Sequence, residues 1–128
     1  MNKGRVVLIS YDEAKKVMLS EHIIPLGDLR TMYELIDCDC VDCVESAHGK
    51  ITLWCDDEGL LKPNYAIDVT DLLEDGVDRF MSDVVLAGNL LVTGGADQNG
   101  NTMPLPDEIT MDYIKSRLPV RCTHQTVS

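Results

Sequence analysis

Aromatic side chains are scarce in this 128-residue sequence, with one Trp, one Phe and four Tyr, and cations are scarcer than anions, eleven Lys and Arg against twenty-two Asp and Glu. Direct nucleic-acid binding wants clustered Lys and Arg with interleaved aromatics, so both shortages argue against it. Long apolar runs are missing too. A membrane-spanning helix needs roughly 20 apolar residues. The first run, Val6 to Ile9, ends almost at once in Asp12, Glu13, Lys15 and Lys16. No membrane or export segment is therefore expected. Five cysteines is an odd number, and without an export signal it points to free thiols in the reducing cytoplasm.

Complete catalytic and ligand motifs are absent as well. Gly94-Gly95-Ala96 lacks the lysine and spacing of a phosphate loop. Asp97-Gln98-Asn99-Gly100-Asn101 has its glycine too early for a calcium loop, and Asp37-x-Asp39-x-x-Asp42 and Asp56-Asp57-Glu58-Gly59 lack the alternating oxygen spacing. His22, His48 and His124 have no recognisable partner motif. No cofactor and no catalytic residue is expected.

What is present is an ordered succession of short elements. Arg5–Tyr11 and Lys16–Ile24 are rich in β-branched residues and suggest an opening hairpin. Pro25 ends it. Asp28 can cap a helix whose Leu29, Met32, Tyr33 and Ile36 recur at helical spacing. From Asp37 the period switches to two, predicting a strand through Cys38, Cys40 and Val44. A turn at His48-Gly49 would return it as a second strand around Trp54. Residues 60–67 look irregular, and Val69–Asp83 reads as a broken acidic helix. Val84–Thr93 reads as one buried strand with a bend at Gly88-Asn89, Asn99-Gly100 as a hairpin turn, and Pro106 as the start of a final helix that Pro119 ends.

The sum is an α+β domain over residues 1–118. It would have a mixed or antiparallel sheet of about five strands, two or three helices, a β-grasp-like order as one candidate, and a flexible tail at 119–128.

Three blocks resemble a known family. Leu29-x-x-Met32-Tyr33-x-Leu35-Ile36-Asp37-Cys38-Asp39-Cys40-Val41 looks like its leucine-rich helix running into a strand. Cys55-Asp56-Asp57-Glu58-Gly59-Leu60-Leu61-Lys62-Pro63-Asn64 is similar to its hairpin exit, and Val84 to Gly94 to its late strand with two spaced glycines. The family is the domain of unknown function "thirty-eight forty-six" of phages, plasmids and bacterial mobile elements. Asp37-Cys38 stands where its glycine pair is expected, and Val69–Asp83 looks like an added helix. The resemblance implies a setting, an accessory protein acting in a host cytoplasm, and no reaction.

The acidity is concentrated. Residues 31–83 hold fourteen carboxylates and three cations, against four and five in residues 1–30. Such a surface steers toward basic patches on other proteins. Asp37, Asp39 and Asp42, and separately Asp71, Glu74, Asp75 and Asp78, are the candidate partner-binding residues. The reading is a non-enzymatic protein that binds and inhibits a host protein with a basic surface, a component of a defence or nucleic-acid-processing system; a homo-oligomer is compatible with it.

Two alternatives of other classes stand beside it. One is a protein sequestering a small molecule or nucleotide signal, with Trp54, Gly88, Asn89, Gly94 and Gly95 lining a pocket. The other is a zinc-stapled module on Cys38, Cys40, Cys43 and Cys55. Strand geometry disfavours the latter, because Cys43 would face away from Cys38 and Cys40.

Overall fold

The computed structural model describes residues 3–46, 49–59, 65–74 and 84–124. The opening hairpin forms as expected, with β1 (Lys3–Tyr11) antiparallel to β2 (Val17–Pro25) and Val7 opposite Glu21. Its turn is held by the Asp12 carboxylate, which accepts from the Ala14 and Lys16 N–H groups, while Lys15 takes a left-handed φ of 65°. Asp28 caps α1 (Leu29–Ile36) by accepting from the Arg30 N–H, and Met32 and Ile36 are buried on its inner face. Asp37 then adopts φ 64°, and its N–H and that of Cys38 both reach the Tyr33 carbonyl.

That closure corrects the strand expected from Asp37. Residues 37–40 turn, and β3 (Val41–Glu45) starts only afterwards, so Cys38 and Cys40 never enter the period-two pattern. The β3 strand pairs antiparallel with β4 (Ile51–Asp56), Cys43 lying opposite Trp54 and Asp42 opposite Cys55.

After β4 comes β5 (Tyr65–Asp68), a strand inside the stretch expected to be irregular, and then α2 (Thr70–Glu74). The remainder of the expected broken helix lies outside the described residues. The apolar run after residue 84 is two strands, β6 (Val85–Ala87) and β7 (Leu90–Gly94), in different sheets. Gly88, at φ 83°, turns the chain between them, and its carbonyl accepts from the Tyr11 hydroxyl at 2.9 Å.

The main sheet has the order β2-β1-β7-β4-β3 with every neighbour antiparallel. The antiparallel option is therefore the one that forms; the β-grasp-like order, which puts a parallel pair at the centre, does not. Both faces of the sheet are covered, which explains why β1, β4 and β7 read as apolar runs rather than clean alternation. Val6 and Leu91 meet Met32 and Ile36 of α1 on one face. On the other, Val7, Ile9, Leu53 and Val92 pack with Ile67, Leu72, Ile109 and Ile114 in one continuous core.

The final helix starts later than Pro106 suggests. Residues 106–109 form a turn with the Ile109 N–H on the Pro106 carbonyl, and α3 (Met111–Ser116) is capped by Thr110. The segment expected to be a flexible tail is tied down to residue 124. The Val17 N–H bonds to Val120, the Cys122 N–H to Lys15, and β8 (Thr123–His124) completes a second sheet of order β6-β5-β8. Isolated turn chemistry could not show this, because the partners lie about a hundred positions upstream.

Candidate functional site

The β3 edge of the main sheet carries a concentration of charge. As α1 ends, exposed Glu34, Asp37 and Asp39 surround an open cleft of about 410 Å3 that Arg30, Tyr33 and Cys38 also line. Asp42 and Glu45 are exposed along β3 itself. Asp57 and Glu58 follow in the turn after β4, which the Asp57 N–H ties to the Cys40 carbonyl. The only ion pairs among the described residues are Arg5–Glu21 and Lys50–Glu108, so none of these carboxylates is in one. Asp42 does have a local role: its Oδ1 accepts from the Cys43 N–H at 2.8 Å and so covers a donor on the strand's outer edge.

Asp37, Asp39 and Asp42 are thus brought to one edge. The second acidic set is not joined to them, because α2 packs on the sheet face opposite α1. Asp71 is exposed there, and Asp75 and Asp78 lie outside the described residues, as does the side chain of Glu74. Sequence reasoning missed Glu34, Glu45, Asp57 and Glu58 as members of the edge. Glu34 was one helical turn before Asp37, and that was the available signal.

The four cysteines of the zinc alternative do not converge. Cys38 sits half-buried in the turn, Cys40 is exposed beside it, and Cys43 and Cys55 point to opposite faces of the sheet. No group of three or more His, Cys, Asp or Glu side chains able to hold a metal occurs among the described residues. Nor are Cys43 and Cys55 activated. Burial, reinforced by Asp42 and Glu45, pushes the Cys43 thiol up; burial first, then Asp42 and Asp56, pushes Cys55 up to about 11. Burial likewise raises Cys122.

The glycine-rich pocket expected around Trp54, Gly88, Asn89, Gly94 and Gly95 is not assembled either. The Trp54 indole N–H donates to Thr93 Oγ1 at 2.9 Å on the α1 face, whereas the Gly88 carbonyl meets Tyr11 on the other side. Gly94 and Gly95 are pressed against backbone. A Cβ on Gly94 would overlap the Pro104 carbonyl, and one on Gly95 the Gly49 carbonyl. A ligand-sized cleft of about 570 Å3 exists elsewhere, lined by Lys3, Leu26, Gly27, Asp97, Asn101 and Thr102 with Met103 and Pro104. The Asp97 carboxylate there is held below the usual range by the backbone N–H groups of Asn101 and Asn99.

For acyl transfer or hydrolysis, the one nucleophile–base contact involving a histidine among the described residues is Ser20 Oγ to His22 Nε2 at 2.9 Å on β2. No third, orienting group is bonded to that imidazole, and the contact is the ordinary one between residues two apart on a strand face.

The family model described as "Domain of unknown function (DUF3846)" matches residues 4–118. The chain belongs to that family. No curated protein and no solved structure matches it. In this DUF3846 domain the matched span runs from β1 through Leu118, just past α3, and so contains the acidic edge and the 570 Å3 cleft. It stops short of residues 119–124, which close the second sheet and seal the start of β2. No described helix is long and apolar enough to cross a membrane.

Proposed function

We propose that this chain is a non-enzymatic accessory protein of phage or mobile-element origin that binds a basic surface of a host protein through its β3 edge and inhibits it. The host protein belongs to a defence or nucleic-acid-processing system, and the action is cytoplasmic. The observation that supports this reading is misplaced charge at the end of α1. Helix C-termini favour cations, yet the last turn of α1 contains no basic residue and is followed by its Asp37 cap. Glu34 and Asp39 add to the same negative end. The arrangement costs stability in the isolated protein and is relieved when a cationic surface docks.

The test is capture from host lysate at low and high salt, with mass spectrometry of bound proteins and small molecules. Each solvated ion pair contributes about 0.2–1 kcal/mol. Reversing Asp37, Asp39 and Asp42 to Lys replaces three attractions with three repulsions, a loss of about 3 kcal/mol or roughly 100-fold in affinity. Capture of the same partner by the triple variant, and by a chain reversed at Asp71, Glu74, Asp75 and Asp78, sinks the proposal.

A second reading, sequestration of a small molecule, is favoured by the 570 Å3 cleft, whose size falls within the usual range for ligand sites. It predicts thermal stabilisation by one metabolite and loss of that effect in Met103→Trp.

A further inference from the structure

Four of the eleven cations gather at one place in the fold. Lys15 and Lys16 of the β1–β2 turn, Lys115 of α3 and Arg121 of the C-terminal segment are exposed and meet at one end of the molecule. Lys16 pairs across an antiparallel bridge with Arg121, and the Lys15 carbonyl accepts from both the N–H and the thiol of Cys122. Among the described residues none of the four cations is in an ion pair. Like charges directly opposite each other across a strand pair are destabilising, and here they persist in a chain with twice as many acids as bases. The nearby carboxylates are Asp12, whose Oδ1 is occupied by two turn N–H groups, Glu13 and Asp112.

Between Lys16 and Lys115 lies a depression of about 150 Å3 floored by Val17, Leu118, Pro119 and Val120. Val120 is 74% exposed, the most exposed large apolar side chain among the described residues.

We infer that this basic-rimmed apolar depression docks an acidic peptide segment of a partner protein, with one apolar residue seated between Lys16 and Lys115. The carboxylates flanking that residue neutralise the Lys16–Arg121 juxtaposition. A nucleic acid fits the same cations less well. The Tyr113 ring of α3 has the Arg117 guanidinium over one face, 3.6 Å from its centroid, which takes that face away from base stacking. A long polyanion also meets the field of a chain carrying -11, whereas a short segment touches only the basic end. A second copy of this chain fits less well too, since among the described residues none of the exposed large apolar side chains lies on the acidic β3 edge. The turn is pre-organised by Asp12 and Cys122, so docking orders little additional backbone.

The test is selection of a displayed library of random twelve-residue peptides on the full chain, with counter-selection on a Lys16→Glu/Lys115→Glu variant whose melting curve verifies its fold. The expected result is enrichment of acidic peptides with a central apolar residue. Their affinity falls at least about tenfold in the charge-reversed variant, in raised salt and in Val120→Asp. Basic peptides, no enrichment over the counter-selected variant, or binding untouched by all three substitutions overturns it. So does stronger binding of an oligothymidine than of the best peptide, or a sedimentation dimer that the charge reversal dissolves, because each names a different occupant.

Discussion

Replacing Gly94 with alanine distinguishes a glycine that lines a pocket from one that permits two backbones to touch. Gly94 is buried at the end of central β7, and an added Cβ would sit 2.8 Å from the Met103 oxygen, 2.9 Å from the Pro104 carbonyl carbon and nearer still to the Pro104 oxygen. The neighbouring chain is held there by two hydrogen bonds, Gly94 N–H to Met103 at 3.0 Å and Met103 N–H to Gly95 at 3.1 Å. Losing both costs about 2 kcal/mol, and overpacking adds roughly 1–3 kcal/mol. The stiffer unfolded chain returns about 0.4–1 kcal/mol. The net is about 3 kcal/mol, which for a chain of this size lowers the melting temperature by roughly 12 °C. Gly100→Ala is the matched comparison. It has φ 82° with nothing near its Cβ position, so it incurs only the left-handed backbone penalty of about 1 kcal/mol. Urea and thermal unfolding of both variants read the difference. A Gly94→Ala chain no less stable than Gly100→Ala would refute the close-approach argument and return the position to ligand binding.

Two further predictions concern buried polar groups. Arg5, 18% exposed at its side chain, donates to the carbonyls of Leu105, Pro106 and Ile109 and pairs with Glu21. Arg5→Ala therefore lowers unfolding free energy by roughly 2–4 kcal/mol, and Arg5→Lys recovers only part because an ammonium lacks the fork that spans three carbonyls; an unchanged urea midpoint in Arg5→Ala would exclude the pinning role. Cys55 is held neutral in the fold with its thiol raised from 9.0 to about 11. Its contribution is fully present below pH 9 and is lost as pH rises toward 11, when the unfolded thiol ionises and the folded one does not; the decline is at most about 3 kcal/mol and is flattened in Cys55→Val. In the native protein a thiol reagent labels Cys40 and Cys43 before Cys55 and Cys122, and added zinc leaves that order unchanged.

What the sequence disclosed was local. Asp28 before Leu29, Met32 and Ile36 announced α1 because capping and the 3.6-residue period act within one segment, and the RVVLISY and VMLSEHII strands announced their hairpin for the same reason. Errors arose where a distant partner decided the outcome. Val84–Thr93 looked like one strand because periodicity cannot tell which sheet a residue joins. It splits at Gly88, where the carbonyl is taken by Tyr11 from seventy-seven positions away. The tail past Pro119 looked loose because a proline follows the helix, and α3 does stop just before it at Ser116, but the open edge of β2 that receives Val120 is a tertiary feature. The acidic residues were legible as a composition and only half legible as a site. Asp37, Asp39 and Asp42 were adjacent in sequence, whereas Asp57 joined them through its N–H bond to Cys40.

A plain structural explanation competes with the binding role of the acidic edge. Edge strands invite pairing with other chains, and charged side chains are a common defence against it. Asp42 and Glu45 on β3 fit that explanation fully, and the Asp42–Cys43 hydrogen bond strengthens it. It does not extend to Glu34, Asp37 and Asp39, which border a cleft at a helix end where no strand edge needs covering and where the helix dipole makes negative charge unfavourable. The basic end repeats the pattern with opposite sign, setting Lys16 against Arg121. Solubility alone would be served by interspersing the two signs over the surface. Segregating them toward the β3 edge and the start of β2, the two outer strands of one sheet, sets Glu34, Asp37 and Asp39 around one cleft and Lys16 opposite Arg121. Such arrangements persist most readily where a partner of opposite charge offsets them, which is the ground on which we propose that the two ends are separate docking surfaces and not one solvated coat.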